Sequence, residues 1–272
     1  MELEIIKPIG LCNSANKLLD EINKNINKYI NIYVIGEILH NEYIINDLSN
    51  KGIRFVKDIK NIEINKYTLI ILPAHGTPPS IYNRIVSRKY NFLDLTCPKI
   101  KKIHEFILTN PDIDIVFLGK KNHAETNAVK EYKNVKVVCD KSDIEKLGEL
   151  NNPVLMCQTT YSLELFNEYS SIIKEKYDNL IIKNTLCNIP LDRIKNINDS
   201  KCDMLLVIGS KTSSNANEIK NAKANSLIVS KKTDLNMDEL LKYDKIAIAS
   251  ASSTPIEQVN IIVSAIKNAI KI

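Results

Sequence analysis

The chain has 272 residues, 44% of them hydrophobic and 25% charged, with a formal net charge of +5, which is enough apolar material for ample cores in two or three small domains. Its cations are 33 lysines and four arginines (Arg54, Arg84, Arg88, Arg193) scattered among acids on helix-like segments, the pattern of a solvated face. Aromatic residues make up 6% and tryptophan is absent, which argues against a nucleic-acid groove with its basic stripe and stacking rings.

The chain opens Met1-Glu2-Leu3-Glu4-Ile5-Ile6-Lys7, without the basic segment and apolar core of a secretory signal. An apolar stretch from Ile5 to Leu11 then leads to Cys12, and Ile32-Tyr33-Val34-Ile35 predicts a strand that ends at Gly36, four residues before His40. Tyr43 to Leu48 has helix-like spacing, and Leu69-Ile70-Ile71-Leu72 is a second strand, running into Pro73-Ala74-His75-Gly76-Thr77. Phe92-Leu93-Asp94-Leu95 leads to Cys97 and an amphipathic Lys99–Leu108 segment that holds His104. The pattern then repeats. A strand from Ile113 to Leu118 ends at Gly119 with His123 four residues on, and Val154-Leu155-Met156 runs into Cys157-Gln158-Thr159-Thr160 ahead of a helix over Ser162–Lys176. Leu180-Ile181-Ile182 precedes Cys187; a strand from Met204 to Ile208 ends at Gly209 with Ser213 four residues on; Ile246–Ala249 runs into Ser252-Ser253-Thr254-Pro255.

Cys12, Cys97 and Cys187 lie 85 and 90 residues apart, the glycine mark follows each by 24, 22 and 22 residues, and the small-polar mark by roughly 60 to 66. Such a period signals three copies of one supersecondary unit. Five of the seven glycines (Gly10, Gly36, Gly76, Gly119, Gly209) fall in these marks. Near-continuous apolar strands alternating with helical segments predict parallel sheets covered on both faces, with ligands beyond the carboxyl ends of the strands, where every mark sits. No run is long enough for a membrane-spanning helix. The expected units are 13–96, 97–186, and 187–272 together with 1–12.

Three α/β units around an axis would bring Cys12, Cys97 and Cys187 together. Six scattered cysteines without dense spacing are cytosolic in style, and Cys139, Cys157 and Cys202 carry no repeat mark and read as ordinary small residues. Three converging thiolates suit a soft metal centre. A structural zinc would want a fourth protein ligand, whereas an iron–sulfur cube held by three cysteines keeps one iron open; spacing alone does not choose. His40, His75 and His123 recur in the marks, and Ser213-Ser214-Asn215 and Ser253-Thr254 supply donors ahead of helices, a set suited to a phosphate or diphosphate. Glu125, two residues after His123, is the one carboxylate among the marks that could face the same cavity, and Thr159-Thr160 offers a hydroxyl to relay a proton.

Together Gly10-Leu11-Cys12, Gly36-Glu37-Ile38-Leu39-His40-Asn41, Ala74-His75-Gly76, Asp94-Leu95-Thr96-Cys97-Pro98, His123-Ala124-Glu125, Gln158-Thr159-Thr160, Thr185-Leu186-Cys187, Gly209 to Asn215 and Ser253-Thr254-Pro255 make the chain resemble, over essentially its whole length, the 4-hydroxy-3-methylbut-2-enyl diphosphate reductases of the non-mevalonate isoprenoid pathway. The resemblance implies a trefoil of three pseudo-symmetric α/β units with parallel-type sheets around a central [4Fe-4S] cluster on the three cysteines. It implies a diphosphate held by His40, His75, His123, Ser213, Ser214, Asn215 and Ser253. Glu125 would deliver protons to the leaving hydroxyl and Thr159 would orient it, with isopentenyl and dimethylallyl diphosphate as products. It further implies a cytoplasmic oxidoreductase fed by reduced ferredoxin or flavodoxin, with no nucleic-acid or membrane partner. The chain departs from the family pattern at Asn13-Ser14-Ala15, Ala124 and Ile189-Pro190. A divergent member reducing another substrate, a metal-binding sensor without turnover, and a cysteine-dependent hydrolase are the alternatives; the hydrolase would need a Cys–His pair that no spacing specifies.

Overall fold

The computed structural model describes residues 1–270. Its strands form three four-stranded sheets, every pairing parallel. By internal contacts the chain divides into two compact bodies.

The first body comprises Met1–Lys24, Leu39–Lys51 and Asn188–Ile272. Its sheet uses β1 (Glu2–Ile5), β10 (Met204–Ile208), β11 (Ser226–Val229) and β12 (Lys245–Ser250), in the order β11-β10-β12-β1. Successive side chains of a strand point to opposite faces, and here both faces are dry. Leu206, Ile208, Ile246 and Ile248 pack with Val259, Ile262, Val263 and Ile266 of α11 (Ile256–Ile270). Leu205, Val207, Ala247 and Ala249 pack with Ile197 of α8 (Asn188–Asp199) and with Ala216 and Ile219 of α9 (Ser214–Lys220). That two-sided burial is why these strands read as unbroken apolar runs rather than alternating ones. Truncating a fully buried member such as Ile262 to Ala would cost roughly 2–5 kcal/mol. The body also carries α1 (Asn13–Asn25), α2 (Glu42–Asn50) and the short α10 (Met237–Leu240).

The second body comprises Asn25–Ile38 and Gly52–Cys187 and holds two sheets. One runs β3-β2-β4-β5, from β2 (Asn31–Ile35), β3 (Ile53–Val56), β4 (Thr68–Leu72) and β5 (Phe92–Asp94), with Ile85 of α3 (Pro79–Ser87) on Ile35, Ile70 and Leu72. The other runs β7-β6-β8-β9, from β6 (Ile115–Leu118), β7 (Val135–Val138), β8 (Val154–Cys157) and β9 (Ile181–Ile182). On it Ile103 and Ile107 of α4 (Pro98–Thr109) and Val129 of α5 (Ala124–Val129) meet Phe117 and Met156. Two further helices are α6 (Lys141–Glu145) and α7 (Leu163–Lys176), the latter capped by the Ser162 side chain on Leu165 N–H.

The three α/β units with parallel sheets are therefore present as expected, and they share one strand order: second, first, third, fourth. In the sheet of the first body the fourth strand comes from the start of the chain, so β1 completes a unit begun after residue 187. Strand order reverses between β2 and β4, between β6 and β8, and between β10 and β12, and crevices at such reversals are where open α/β sheets bind ligands. The edge strands β3, β7 and β11 were not expected from the sequence; each is only four residues long and only partly buried, so its apolar signal is short. Among the described residues no helix is long and apolar enough to cross a membrane.

Candidate active site

At each reversal the third strand ends in a tight turn closed by one bond: Gly76 N–H to Pro73 O at 3.2 Å, Tyr161 N–H to Gln158 O at 3.0 Å, Thr254 N–H to Ala251 O at 3.1 Å. The second residue of each turn offers its carbonyl to a cysteine. Cys97 N–H donates to Ala74 O at 2.8 Å, Cys187 N–H to Thr159 O at 2.7 Å and Cys12 N–H to Ser252 O at 3.0 Å. The sequence period therefore has a structural cause: three cysteines hang by the same hydrogen bond from three equivalent turns.

In the second body Glu125 sits in the first turn of α5, where its N–H donates to His123 Nδ1, the cap of that helix, at 3.2 Å. Its carboxylate is bound twice by one residue: Thr159 donates its N–H to Oε2 and its hydroxyl to Oε1, each at 2.8 Å. Both residues are buried, 5% and 7% exposed. The β6 end comes so close to α5 that a Cβ on Gly119 would lie 2.3 Å from Thr126 Oγ1, which is why the chain needs glycine there. Gln158 braces the same corner, accepting from Lys120 N–H at 3.0 Å and donating to Thr160 Oγ1 at 2.7 Å. Lys99, two residues beyond Cys97 on α4, donates its ammonium to Leu186 O, the carbonyl that precedes Cys187.

His75 lies in the β4 turn, and the next residue, Gly76, has φ +88°. A Cβ there would stand 2.7 Å from Nε2 of His104, so the position is closed to side chains by conformation and by contact alike. His104 Nδ1 bonds the Tyr132 hydroxyl at 2.8 Å, while its buried Nε2 finds no hydrogen-bond partner among the described residues. Burial pushes His104 down to about 4 and Tyr132 up to about 12, so both are neutral near pH 7.

In the first body Arg193 of α8 is 1% exposed. Its guanidinium donates to Gly10 O at 2.7 Å and to Ser250 O, while Gly10 N–H donates to Ser250 Oγ at 2.8 Å. One cation thus ties the loop before Cys12 to the strand end before the Ser252 turn. Arg193 is thus an exception to the solvated cations expected from the charge pattern. Its signal was there: Pro190, Arg193 and Ile197 are the buried residues of α8, a helical stripe with a charge in it. Ser213 caps α9 by accepting from Ala216 N–H at 3.3 Å, the position His123 holds on α5. Ser214 and Asn215 follow, 6% and 7% exposed. Asn215 Oδ1 accepts from Ser252 N–H at 2.7 Å, and Ser253 Oγ donates to the His40 carbonyl at 3.3 Å. His40 directly precedes Asn41, the cap of α2, whose side chain also reaches Gln258 at 3.0 Å.

His40 and His123 stand where the chain enters α2 and α5, four residues beyond Gly36 and Gly119, and His75 lies three residues past the end of β4. The structure brings His123, Glu125, Thr159 and Cys187 together through the second body, and His40, Ser213, Ser214, Asn215, Ser253 and Cys12 through the first. Asn215 Nδ2 and Ser252 Oγ are buried polar atoms without a hydrogen bond among the described residues, which fits a site completed by a ligand rich in acceptors.

All six cysteines are reduced. Burial pushes the Cys157 thiol up to about 11, partly offset by its hydrogen bond with Thr185, so it is an inert thiol as expected. Among the described residues no three Cys, His, Asp or Glu side chains form a single-ion metal site. Each of the three turns holds one thiol, the donor type that iron–sulfur clusters take.

The family model described as LytB protein matches residues 3–267. The 4-hydroxy-3-methylbut-2-enyl diphosphate reductase of Alkaliphilus oremlandii is 25% identical over 268 residues, 94% of this chain and 95% of the relative. The reductase of the same name from Campylobacter hominis is 29% identical over 266 residues, 94% of each chain. Among solved structures, the E-1-hydroxy-2-methyl-but-2-enyl-4-diphosphate reductase from Plasmodium falciparum matches with a TM-score of 0.90 at 25% identity, covering 98% of this chain and 88% of that one.

Proposed function

The chain belongs to the LytB protein family of reductases, and we propose that it removes the allylic hydroxyl of 4-hydroxy-3-methylbut-2-enyl diphosphate to give isopentenyl and dimethylallyl diphosphate. The residues fit a [4Fe-4S] cluster held by Cys12, Cys97 and Cys187. When bound, such a cluster supplies electrons and a Lewis-acidic iron, chemistry that no side chain here can perform. The overall change takes two electrons and two protons: the C–O bond breaks, the hydroxyl leaves as water, and a C–H bond forms at either end of the allyl group.

The observation that carries this reading is the buried Glu125–Thr159 pair, hung from the same turn as Cys187. Hydroxide is a poor leaving group until it is protonated. Glu125 is the group that delivers the proton, and the Thr159 hydroxyl, held on Oε1, orients the leaving oxygen and relays to it. His40, His75, His123, Ser213, Ser214, Asn215 and Ser253 bind the diphosphate. Their role is to hold the short carbon chain so that remote binding energy fixes the reacting carbon. Reduced ferredoxin or flavodoxin supplies the electrons, and the setting is the cytoplasm, where the six thiols stay reduced.

The test is anaerobic purification with iron and sulfide assays. About four of each per chain are expected for one cube, and Cys97→Ser should lose them. A Cys97→Ser protein with undiminished iron would rule the cluster assignment out.

A further inference from the structure

The turns at Thr159 and Ser252 are built on one plan, and the side chain that faces each turn residue is a carboxylate in one and a carboxamide in the other. Each turn residue gives its carbonyl to a cysteine N–H, at 2.7 Å for Thr159 and 3.0 Å for Ser252. Each gives its own N–H to a side-chain oxygen on the helix opposite, Glu125 at 2.8 Å or Asn215 at 2.7 Å. Glu125 and Asn215 are themselves equivalent, each six residues beyond the glycine that ends its strand. A carboxylate has two acceptor oxygens, so Glu125 also takes the Thr159 hydroxyl at 2.8 Å and the pair is closed. A carboxamide has one oxygen and an NH2. At Ser252 the one oxygen is spent on the backbone N–H, and two buried polar groups are left over: Ser252 Oγ and Asn215 Nδ2. Orphaned buried donors cost free energy unless something absent from the protein chain satisfies them.

We propose that Ser252 is a substrate-binding residue whose hydroxyl acts with the Asn215 carboxamide to take an anionic oxygen of the diphosphate. The inference rests on the diphosphate reading above and adds to it a residue that the sequence marks contain but to which they gave no binding role. Only an acceptor satisfies both groups, because the amide NH2 can only donate. Ser213 caps α9 and Ser214 opens it, directly before Asn215. The anionic end of the substrate meets this requirement, whereas its apolar chain cannot. Ser252 also shares its peptide frame with Cys12, so a ligand oxygen bound here is fixed relative to the cysteine loop.

Calorimetric titration of the anaerobically prepared holo-protein with inorganic diphosphate tests this. Ser252→Ala should bind roughly 10- to 100-fold more weakly than the unaltered protein, the scale for one bond to a charged acceptor, with unchanged iron content. Ser252→Thr, which carries the hydroxyl found at the equivalent turn, should bind as the unaltered protein does. Equal affinity in Ser252→Ala overturns the proposal and leaves the diphosphate reading standing. A Ser252→Thr protein as weak as Ser252→Ala also overturns it, by tracing the loss to turn packing. If the unaltered protein does not bind diphosphate, the diphosphate reading itself fails and this inference falls with it.

Discussion

Thr159 binds the carboxylate of Glu125 with both its N–H and its hydroxyl, at 2.8 Å each, and accepts the N–H of Cys187 at 2.7 Å through its carbonyl. A proton donor is thereby fixed by the same residue that fixes a cysteine. Glu125→Gln keeps the shape but loses the acidic carboxyl proton. It should retain iron and substrate affinity while turning over on the order of a hundred-fold or more slowly, the scale of a general acid. Thr159→Val should show a smaller loss of turnover, and Thr159→Ser should recover most of it. A Glu125→Gln enzyme with normal turnover would place the proton source elsewhere.

Arg193 does its work at a distance from the chemistry. Arg193→Met leaves the Gly10 and Ser250 carbonyls without their charged donor in a buried place. The expected cost is on the order of 2–4 kcal/mol in a urea titration, along with lowered iron content, because the loop before Cys12 is no longer pinned. Unaltered stability in Arg193→Met would show that these contacts are dispensable.

His104 sets an acid limit. Burial chiefly holds its imidazole at about 4, with the Asp94 charge opposing weakly, while the unfolded chain titrates at the ordinary 6.5. Between those values the unfolded state binds the extra proton, so stability falls as pH drops from about 6.5 to about 4. The full effect is about 3 kcal/mol. His104→Gln should flatten that part of the stability–pH curve. A curve that keeps its slope would contradict the assignment.

The same contact explains why Gly76→Ala should fail. The new methyl would meet Nε2 at 2.7 Å while the backbone sits at φ +88°, so a loss of more than about 1 kcal/mol is expected, together with displacement of the adjacent His75. A melting comparison with the unaltered protein measures it.

Much of this was legible in the chain. The apolar runs at Leu69–Leu72, Met204–Ile208 and Ile246–Ala249 fall within strands because buried parallel strands leave a continuous signal. Ser162–Lys176 announced its helix through the spacing of its apolar residues. The edge strands stayed hidden, since Ile53–Val56 and Ser226–Val229 are only four residues long and only partly buried. At the site, the period located the three cysteines and the turns, but the bonds between them depend on tertiary contact. Arg193 reaches Gly10 across 183 positions of sequence. Ser252 was overshadowed by its neighbour Ser253, because only the structure shows whose hydroxyl lacks a partner.

The most direct test of the central claim is an anaerobic turnover assay with chemically reduced protein and 4-hydroxy-3-methylbut-2-enyl diphosphate, reading products by mass spectrometry. The account predicts isopentenyl and dimethylallyl diphosphate, formed at the expense of two electrons per substrate and abolished by Cys12→Ser, Cys97→Ser or Cys187→Ser. A fully loaded, reduced protein that leaves this substrate unchanged would contradict it.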